Sequence, residues 1–469
     1  MKKQKKTLFT IVTLILFFVI SIFLFNIIKS NMFPLKYILI GAIILVSIVL
    51  LNILLLLKFN NIISKILSIT FSIIIVIGLI IGILLTSKTN NFISKLKDKG
   101  YQIETYSLIV LKSSSEKIED YNNKKIGFLN PTTENKEKII QELNKLIIAD
   151  VEDYSILGTI CIDLLDNKIE AVLLERSYIE ILEEVESDFL NEVKIIWTKE
   201  IKVPVNDIAK KSNTTEEPFI VVISGVDVFG SISKVARSDV NIIAVINPKT
   251  YKILLVHIPR DYYVEIDGIN ARDKLTSSGA LGINSTVKSI EKYFDLEVNY
   301  YMKVNFSSLV KVVDVIGGID VYSEHSFLAK KTAYIKKGVN HLNGDQSLAF
   351  TRERLALPRG DRDRGVNQQK VLTAIIEKMM SPKLLMQFTD ILDVLSDSFI
   401  TNIEEAEIKR FINFELDRLP SWKIESISVD GNDLWIYNAP FNYGHLSYVM
   451  EPNIETVNKA KEKISEYLK

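Results

Sequence analysis

The chain has 469 residues, and its 57 lysine and arginine residues balance 57 aspartate and glutamate residues. This balance gives no electrostatic indication that the whole chain binds a polyanion such as nucleic acid. A single cysteine, Cys161, excludes an intramolecular disulfide framework, and its apolar neighbours predict a buried, unreactive thiol.

Three uncharged, apolar runs follow a short N-terminal segment that carries four lysines. They cover residues 7–28, 37–57 and 66–86, and each reaches the roughly 20 residues that a helix needs to cross a membrane. The lysines ahead of the first run favour a cytoplasmic N-terminus. We therefore expect residues 1–88 to form three transmembrane helices of a multi-pass cell-membrane protein, and we expect everything after them to be extracytoplasmic.

Residues 89–205 have the pattern of a small α/β domain. Short apolar runs predict strands, and apolar residues at helical spacing predict helices. The predicted strands cover 106–111, 125–129 and 171–174, and the predicted helices cover 136–148 and 178–185. No cluster of reactive side chains accompanies this pattern, so we expect an accessory or partner-binding domain. A polar stretch over 206–216 then predicts a linker.

The region 217–469 predicts a second and larger α/β domain, because strand and helix patterns are mixed along it. Runs rich in β-branched residues predict strands at 219–224, 240–247 and 251–259. A turn at 248–250 predicts a tight connection between the last two strands. Helical spacing follows at 284–294, 306–316 and 367–380.

Charged residues stand at the ends of these strands, where open α/β sheets carry their functional sites. Asp227 follows the first strand, Arg237 and Asp239 precede the second, and Arg260 follows the third. Five of the eleven arginines then fall within 352–364, although the chain otherwise prefers lysine. A guanidinium group matches phosphate oxygens in a bidentate way that an ammonium group does not. A solvated charged loop is the alternative interpretation of this segment.

The combination of acidic residues and arginines favours phosphate chemistry. Two carboxylates without histidine or cysteine partners suit a hard ion such as Mg²⁺ or Mn²⁺, with phosphate oxygens as further ligands. Arginines around such an ion suit a pyrophosphate, because they offset the charge that develops on a leaving phosphate. The four histidines are scattered without ligand spacing, which disfavours zinc.

Several ordered motifs resemble those of the LytR–CpsA–Psr (LCP) family. They are Ser224-Gly225-Val226-Asp227, Arg237-Ser238-Asp239, Ile258-Pro259-Arg260-Asp261 and the segments 246–250, 314–321, 342–354 and 361–369. The three N-terminal spans and the accessory region are similar to the capsule-associated branch. The resemblance implies an extracytoplasmic α-β-α layered domain with a central mixed sheet over 217–469.

Family members are membrane-anchored phosphotransferases. The resemblance therefore implies transfer of a glycopolymer, either teichoic acid or capsular polysaccharide, from undecaprenyl pyrophosphate to peptidoglycan with formation of a phosphodiester. Two alternatives stay open. The same site could hydrolyse the lipid-linked pyrophosphate and release polymer, or the protein could be a non-catalytic regulator or scaffold of polysaccharide assembly. Polysaccharide-assembly proteins are candidate partners of residues 89–205.

The resemblance also implies roles for individual residues. Asp227 and Asp239 would hold the metal ion, and Asp361 would orient the arginines. The implied pyrophosphate ligands are Arg260, Arg352, Arg354, Arg364 and Gln368, with Arg237 and Lys274 as weaker candidates. Arg260, Asp361 and Arg364 are thus the catalytic candidates.

Three further positions depart from the family motifs or match none of them. Asn367 stands where many members carry arginine, which leaves a phosphate contact at that position in doubt. Arg359 and Arg362 are expected to be exposed loop residues. Apolar helical faces at 312–316 and 371–376 could line a tunnel for the prenyl chain, with ordinary core packing as the alternative.

Overall fold

A computed structural model describes most of the chain in three parts: a bundle of apolar helices, a small α/β domain and a larger α/β domain. The described residues are 2–58, 62–129, 135–185, 187–226, 231–269, 271–379, 398–437, 440 and 446–469.

Three long helices form the N-terminal part: α1 (Lys2–Ser30), α2 (Leu35–Lys58) and α3 (Ile62–Leu96). Each contains a stretch long and apolar enough to cross a membrane, which confirms the three apolar helices expected from the sequence. A buried polar group joins α2 to α3. Asn52 Nδ2 donates to Ser72 Oγ at 2.6 Å, and Ser68 Oγ donates to Asn52 Oδ1 at 2.7 Å. Such interhelical hydrogen bonds stabilise helix pairs in an apolar solvent.

The helix ends nearest the larger domain pack into that domain. Met32 follows α1, and Phe92, Ile93 and Leu96 end α3; all four are buried in the same apolar cluster as the central sheet of the larger domain. Lys36 at the start of α2 forms an ion pair of 2.9 Å with Asp417. The α1–α2 connection and the end of α3 therefore lie on the same side of the bundle.

The small domain is a five-stranded sheet of order β3-β2-β4-β1-β5 with helices on both faces. Its strands are β1 (Tyr101–Leu111), β2 (Lys125–Leu129), β3 (Asp150–Tyr154), β4 (Ala171–Glu175) and β5 (Val193–Pro204). Its helices are α4 (Lys136–Leu143), α5 (Leu157–Leu165), α6 (Arg176–Val185) and α7 (Ser187–Glu192), with a 3₁₀ turn at Ile118–Tyr121. Cys161 is buried on α5, as predicted.

Strand β1 connects the small domain to the larger one. Ile103 donates its backbone N–H to Ser233 O at 2.8 Å and accepts from Val235 N at 2.9 Å. The 231–235 segment that it contacts leads directly into Arg237-Ser238-Asp239. The small domain therefore supports the chain just ahead of one of the predicted site motifs.

The larger domain is built on a six-stranded mixed sheet of order β16-β11-β6-β7-β8-β17. The sheet strands are β6 (Phe219–Val226), β7 (Val240–Asn247), β8 (Lys252–Ile258), β11 (Tyr300–Asn305), β16 (Phe399–Thr401) and β17 (Lys423–Ser428). Four two-stranded pieces surround it: β9 (Tyr263–Ile266) with β10 (Ala271–Lys274), β12 (Ile319–Ser323) with β15 (Gly338–Leu342), β13 (Phe327–Ala329) with β14 (Ala333–Ile335), and β18 (Gly431–Ile436) with β19 (Ser447–Pro452).

Helices cover both faces of this sheet, because successive residues of its buried strands point to opposite sides. Val221 and Ile223 of β6 join one apolar cluster, whereas Ile220 and Val222 join the other. The helices are α8 (Ile283–Phe294), α9 (Phe306–Val315), α10 (Gly344–Arg352), α11 (Asp361–Met379), α12 (Glu405–Arg418) and α13 (Ile454–Tyr467), with a 3₁₀ segment at Leu275–Leu281. The predicted α-β-α layering is confirmed.

The strand directions bring the predicted motifs to one edge of the sheet. β7 runs antiparallel to both β6 and β8, so the end of β6, the start of β7 and the end of β8 are neighbours. β11 is parallel to β6 and β17 is parallel to β8, so their ends lie at the same edge. The tight connection predicted between β7 and β8 is confirmed.

One predicted boundary is wrong in a way that matters for the site. The helix expected at 367–380 begins six residues earlier, at Asp361. The polar start of α11 lacks the apolar periodicity on which the prediction depended. The last two arginines of the 352–364 segment therefore lie in a helix and not in a loop.

Candidate functional site

Asp239 lies at the centre of the charged group at this edge of the sheet. Its backbone N–H donates to Gly225 O at 2.9 Å, which fixes it between the end of β6 and the start of β7. Its Oδ1 accepts from Arg260 Nη1 at 2.8 Å and from Thr276 Oγ1 at 3.1 Å. Two of the predicted site residues, Asp239 and Arg260, therefore form a direct ion pair.

Two more predicted arginines act on the same carboxylate. Burial alone would raise the pKa of Asp239, but the guanidinium groups of Arg260, Arg237 and Arg364 outweigh it and hold this pKa well below its usual range. Arg237 comes from the segment before β7 and Arg364 from the first turns of α11. The structure thus brings three arginines from three elements around one ionised carboxylate.

Arg260 also faces a second acid that the sequence analysis did not select. Arg260 Nε lies 3.7 Å from Asp261 Oδ2, and Lys274 Nζ lies 3.6 Å from Asp261 Oδ1. Arg260, Asp261 and Lys274 are all buried. Asp261 stands in the motif Pro259-Arg260-Asp261, which was noted in the sequence but is also typical of an ordinary turn. The pairing of Asp261 with Lys274 is visible only in the folded chain.

The backbone around these charges is held by close packing and hydroxyl groups. Ser224 Oγ and Ser238 Oγ lie 2.6 Å apart, and Ser238 Oγ donates to Asn241 Oδ1 at 2.7 Å; all three side chains are buried. A Cβ on Gly279 would overlap with the backbone of Ala236 and Ser238. The serines of two sequence motifs therefore have a structural role, since they fix the segment that carries Arg237 and Asp239.

Gln369 anchors the N-terminal half of α11 to strand β17 of the sheet. Gln369 Nε2 donates to Ser426 Oγ at 2.7 Å, and Ser428 Oγ donates to Gln369 Oε1 at 3.0 Å. A Cβ on Gly365 would lie 3.3 Å from His257 Cε1, so the helix passes close to this ring. Burial lowers the pKa of His257 to about 4, so the ring adds no positive charge beside the arginines at neutral pH.

Arg362 corrects the expectation of an exposed loop residue. It is about three-quarters buried in the first turn of α11. Its Nη2 donates to Gly431 O and lies 3.3 Å from Asp433 Oδ1. Arg362 therefore joins the first turn of α11 to the β18–β19 hairpin.

Gln368 and Asn367 are buried on the same helix with polar atoms that lack partners. Gln368 is 6% exposed and Asn367 is 4% exposed. Gln368 Oε1 and Asn367 Nδ2 have no hydrogen-bond partner among the described residues. A buried polar atom without a partner is costly. These two amides therefore favour a polar ligand beside α11.

Arg352 and Arg354 come from the end of α10 and the turn after it. Arg352 is half-buried and Arg354 is exposed. Glu353 between them is 4% exposed, and its carboxylate accepts backbone N–H groups from Lys330 at 2.6 Å, Arg354 at 2.9 Å and Ala356 at 3.0 Å. Burial opposes ionisation of Glu353, but these donors outweigh it and lower its pKa. Glu353 thus holds the turn that presents Arg354.

Some sequence predictions stay untested. Asp227 lies outside the described residues, and so does the side chain of Asp361, the first residue of α11. Arg359 is exposed, as expected, although its Nη2 also pairs with Asp363 Oδ1 at 2.7 Å.

The apolar side chains considered for a prenyl tunnel belong to one core cluster. Val312, Val313, Ile316, Val371, Leu372 and Ile375 are buried in it, together with the ends of the membrane helices, and Ile376 packs against it. These residues are therefore core residues of the domain, and the tunnel wall stays a prediction.

The site suits an anion with several oxygens. Arg237, Arg260 and Arg364 bring fixed positive charge together around Asp239, and Arg260 also lies beside Asp261. The described residues contain no group of three His, Cys, Asp or Glu side chains that could hold a metal ion by itself. Mg²⁺ usually takes one or two carboxylates and completes its shell with substrate phosphates and water. Asp239 fits that use.

Comparisons with known proteins point to one family. The LytR_cpsA_psr family model matches residues 191–462. The polyisoprenyl-teichoic acid–peptidoglycan teichoic acid transferase TagU of Bacillus cereus (strain ATCC 14579) is 32% identical over 290 residues, or 61% of this chain and 91% of that protein. TagV of Bacillus subtilis, with the same transferase name, is 29% identical over 54% of this chain and 65% of that protein. The crystal structure of B. subtilis TagU is 30% identical, covers 54% of this chain and 98% of that one, and has a TM-score of 0.42.

Proposed function

Because the chain belongs to the LytR–CpsA–Psr family, we propose that it is a membrane-anchored phosphotransferase that moves a glycopolymer from a polyprenyl pyrophosphate carrier to peptidoglycan. The carrier would be undecaprenyl pyrophosphate, and the polymer a teichoic acid or a capsular polysaccharide. The names of the relatives support teichoic acid. The three N-terminal helices and the accessory domain support the capsular alternative.

The observation that carries this proposal is the ion pair between Asp239 and Arg260, with Arg237 and Arg364 close enough to lower the same pKa. Fixed guanidinium groups bind non-bridging phosphate oxygens and stabilise charge on a leaving phosphate. Gln368, with a buried unpartnered Oε1, lies one helical turn beyond Arg364 and would contact the head group.

The reaction makes one bond and breaks one. The oxygen of an acceptor sugar hydroxyl bonds to the phosphorus that carries the polymer, and the bond from that phosphorus to the bridging oxygen breaks. Prenyl phosphate leaves with the negative charge, and the hydroxyl proton passes to solvent. Arg260 and Arg364 would hold the pyrophosphate and offset the charge on the leaving group.

A divalent ion is part of the proposal. Asp239, with Asp227 outside the described residues, would hold Mg²⁺ or Mn²⁺ against the phosphates. Such an ion would neutralise phosphate charge when bound. Arg260 helps to keep Asp239 ionised, and Arg260 and Thr276 both orient its carboxylate for this role.

The membrane arrangement supports a lipid-linked donor. The α1–α2 connection and the end of α3 both pack against the catalytic domain, so a cytoplasmic N-terminus would put that domain outside the cell. A pyrophosphate-linked donor supplies its own energy there, where ATP is absent.

The test uses the full chain in detergent or nanodiscs. It is incubated with a short-chain prenyl-pyrophosphate sugar, Mg²⁺ and a peptidoglycan oligosaccharide, and the products are identified by mass spectrometry. We expect a phosphodiester-linked adduct that EDTA abolishes. Free sugar phosphate with prenyl phosphate would instead identify a hydrolase. Tight lipid binding without turnover, over a panel of acceptors, would favour a regulator or scaffold.

A further inference from the structure

The β13–β14 hairpin carries a concentration of lysines at the surface of the catalytic domain. Residues 327–337 contain four lysines and no acidic residue. The lysines are Lys330, Lys331, Lys336 and Lys337, and all four are exposed. Their ammonium groups form no ion pair with any acid that the structure describes. The described part of the chain therefore leaves this positive charge available to another molecule.

Two of these lysines form the tip of the hairpin in a conformation that lysine rarely adopts. Lys330 and Lys331 have φ angles of 47° and 60°, and Thr332 N donates to Ala329 O at 2.9 Å to close the turn. Positive φ at both central positions is typical of a type I′ turn, where asparagine and glycine are favoured. The tip thus keeps lysine at two strained positions, which favours a role for its charge.

The outward face of the hairpin is apolar. Leu328 and Tyr334 are directly opposite partners on the two strands, and they are 51% and 64% exposed. On the inner face, Phe327 and Ile335 are buried in the apolar cluster that also contains the ends of the membrane helices. Apolar side chains with lysines beside them are typical of segments that lie at the surface of an anionic bilayer.

The hairpin tip lies beside one of the predicted pyrophosphate ligands. Glu353 Oε2 accepts from Lys330 N at 2.6 Å, and Glu353 Oε1 accepts from Arg354 N at 2.9 Å. One buried carboxylate therefore joins the hairpin tip to the turn that presents Arg354. Leu355, the next residue of that turn, is also exposed. A lipid bound at Arg354 through its pyrophosphate would bring the hairpin to the level of the lipid head groups.

We propose that the β13–β14 hairpin docks on the bilayer surface, with Leu328 and Tyr334 at the head-group level and its lysines against anionic phospholipids. The three apolar N-terminal helices put a bilayer within reach. An anionic polymer would also attract the lysines, but the exposed leucines favour a lipid surface. The position beside the donor rests on the proposed function, whereas contact with lipid can be measured without turnover.

The experiment uses the full chain in nanodiscs, with a nitroxide spin label attached to the Leu328→Cys variant. Cys161 is buried, so the label should react at the introduced thiol. Discs of phosphatidylcholine are compared with discs that also contain phosphatidylglycerol. In the anionic discs we expect the label to lose most of its collisions with the water-soluble relaxant nickel-EDDA and to gain collisions with oxygen, which concentrates in the bilayer.

A label on the Leu434→Cys variant is the matched control for position. Leu434 lies on the β18–β19 hairpin, which also presents the exposed Trp435 but carries the acids Asp433 and Glu451. An anionic surface repels such a hairpin. This label should keep its collisions with nickel-EDDA in both kinds of disc.

Replacement of the four hairpin lysines by glutamine tests the charge. It should restore nickel collisions at residue 328 in the anionic discs. The control removes the same charge from the accessory domain and should leave residue 328 protected. It replaces four exposed lysines there, namely Lys117, Lys124, Lys125 and Lys138. Thermal unfolding should show both variants folded.

Two results would overturn the proposal: nickel collisions at residue 328 that are equal in both discs or unchanged by loss of the hairpin lysines, and equal protection of the labels at 328 and 434. Protection that requires added polyphosphate would also overturn it, and would assign the hairpin to an anionic polymer. Protection at residue 328 in a preparation that transfers no glycopolymer would leave the docking intact and contradict only the transferase function.

Discussion

Two carboxylates in this chain, Asp239 in the catalytic domain and Glu175 in the accessory domain, are both buried, yet their pKa values are shifted in opposite directions. Burial raises the pKa of Glu175 to about 8, although Ser177 N donates to it at 2.8 Å. Burial also acts on Asp239, but three arginines reverse the result. Burial alone therefore does not distinguish a functional acid from a structural one; the charge of the neighbours does.

Glu104, a second buried acid of the accessory domain, also lies among neutral donors. Glu104 accepts from neutral donors: Asn135 Nδ2 at 2.9 Å, Tyr106 OH at 2.9 Å and Gln102 Nε2 at 2.8 Å. Burial, followed by the nearby acids, raises the pKa of Tyr178. The hydrogen-bond donors to Glu104 are thus neutral, and the buried Lys303 of the catalytic domain is a cation whose charge acts on Glu175.

The largest loss of activity is expected on substitution of Asp239. We expect Asp239→Asn to lower phosphodiester formation by roughly 10²–10³-fold, because one fixed electrostatic contact is lost and Arg260 loses its partner. Turnover is measured with the short-chain donor. Asp320→Asn, at an exposed acid, is the control and should remain active. Activity of Asp239→Asn above a tenth of the unaltered level would contradict the assignment.

Arg354→Lys tests whether shape matters beyond charge. Lysine keeps the positive charge but not the planar fork, so we expect activity about 10²-fold lower in a folded protein. Arg410→Lys, on the exposed surface of α12, should leave activity unchanged. Turnover equal to the unaltered protein in a folded Arg354→Lys variant would remove Arg354 from the pyrophosphate ligands.

Glu353→Gln should have a smaller effect through the turn that presents Arg354. A glutamine has one acceptor oxygen for three backbone donors, so at least one N–H loses its bond, at roughly 1–3 kcal/mol of stability. We expect KM to rise about tenfold, roughly 1.4 kcal/mol of transition-state binding, with kcat nearly unchanged. A fall in kcat alone would indicate direct contact with the reacting atoms.

Glu175→Gln should change stability and not catalysis. The folded-state pKa of about 8 lies above the unfolded value, so this group stabilises the fold fully below about pH 4.3 and loses that contribution as pH rises to 8. The variant should flatten the fall of the free energy of unfolding between pH 5 and 8, by at most about 1.4 kcal/mol per pH unit, as measured by denaturant unfolding. An unchanged slope would mean that Glu175 is ionised in the fold.

The sequence predicted those elements whose residues are buried on both faces. β2 was predicted with its observed bounds, because the short apolar run that follows Lys125 is fully buried and needs no further context. β3 was missed, since Asp150–Tyr154 is a largely exposed edge strand that pairs only through β2. The start of α11 was missed for the same reason: its first turn is polar and depends on tertiary partners of Arg362 and Gln369.

Site residues could be predicted where a charged residue stands in a recognisable motif. They could not be predicted where the role depends on a partner from a distant segment. Asp239, Arg260 and Arg364 stand in recognisable motifs, and the fold brings them together. Asp261 needs Lys274, and Glu353 needs the backbone of Lys330, so their roles appear only in three dimensions.

The long third helix has a consequence for how a substrate reaches the site. Its 35 residues span about 52 Å, against a hydrocarbon core of about 30 Å, and its last turn is embedded in the catalytic domain. Met32 adds a second fixed point, so the domain cannot rotate freely about the end of α3. In a membrane, the site would be held at a constant height, and a lipid-linked donor of the proposed kind would find it by diffusion in two dimensions.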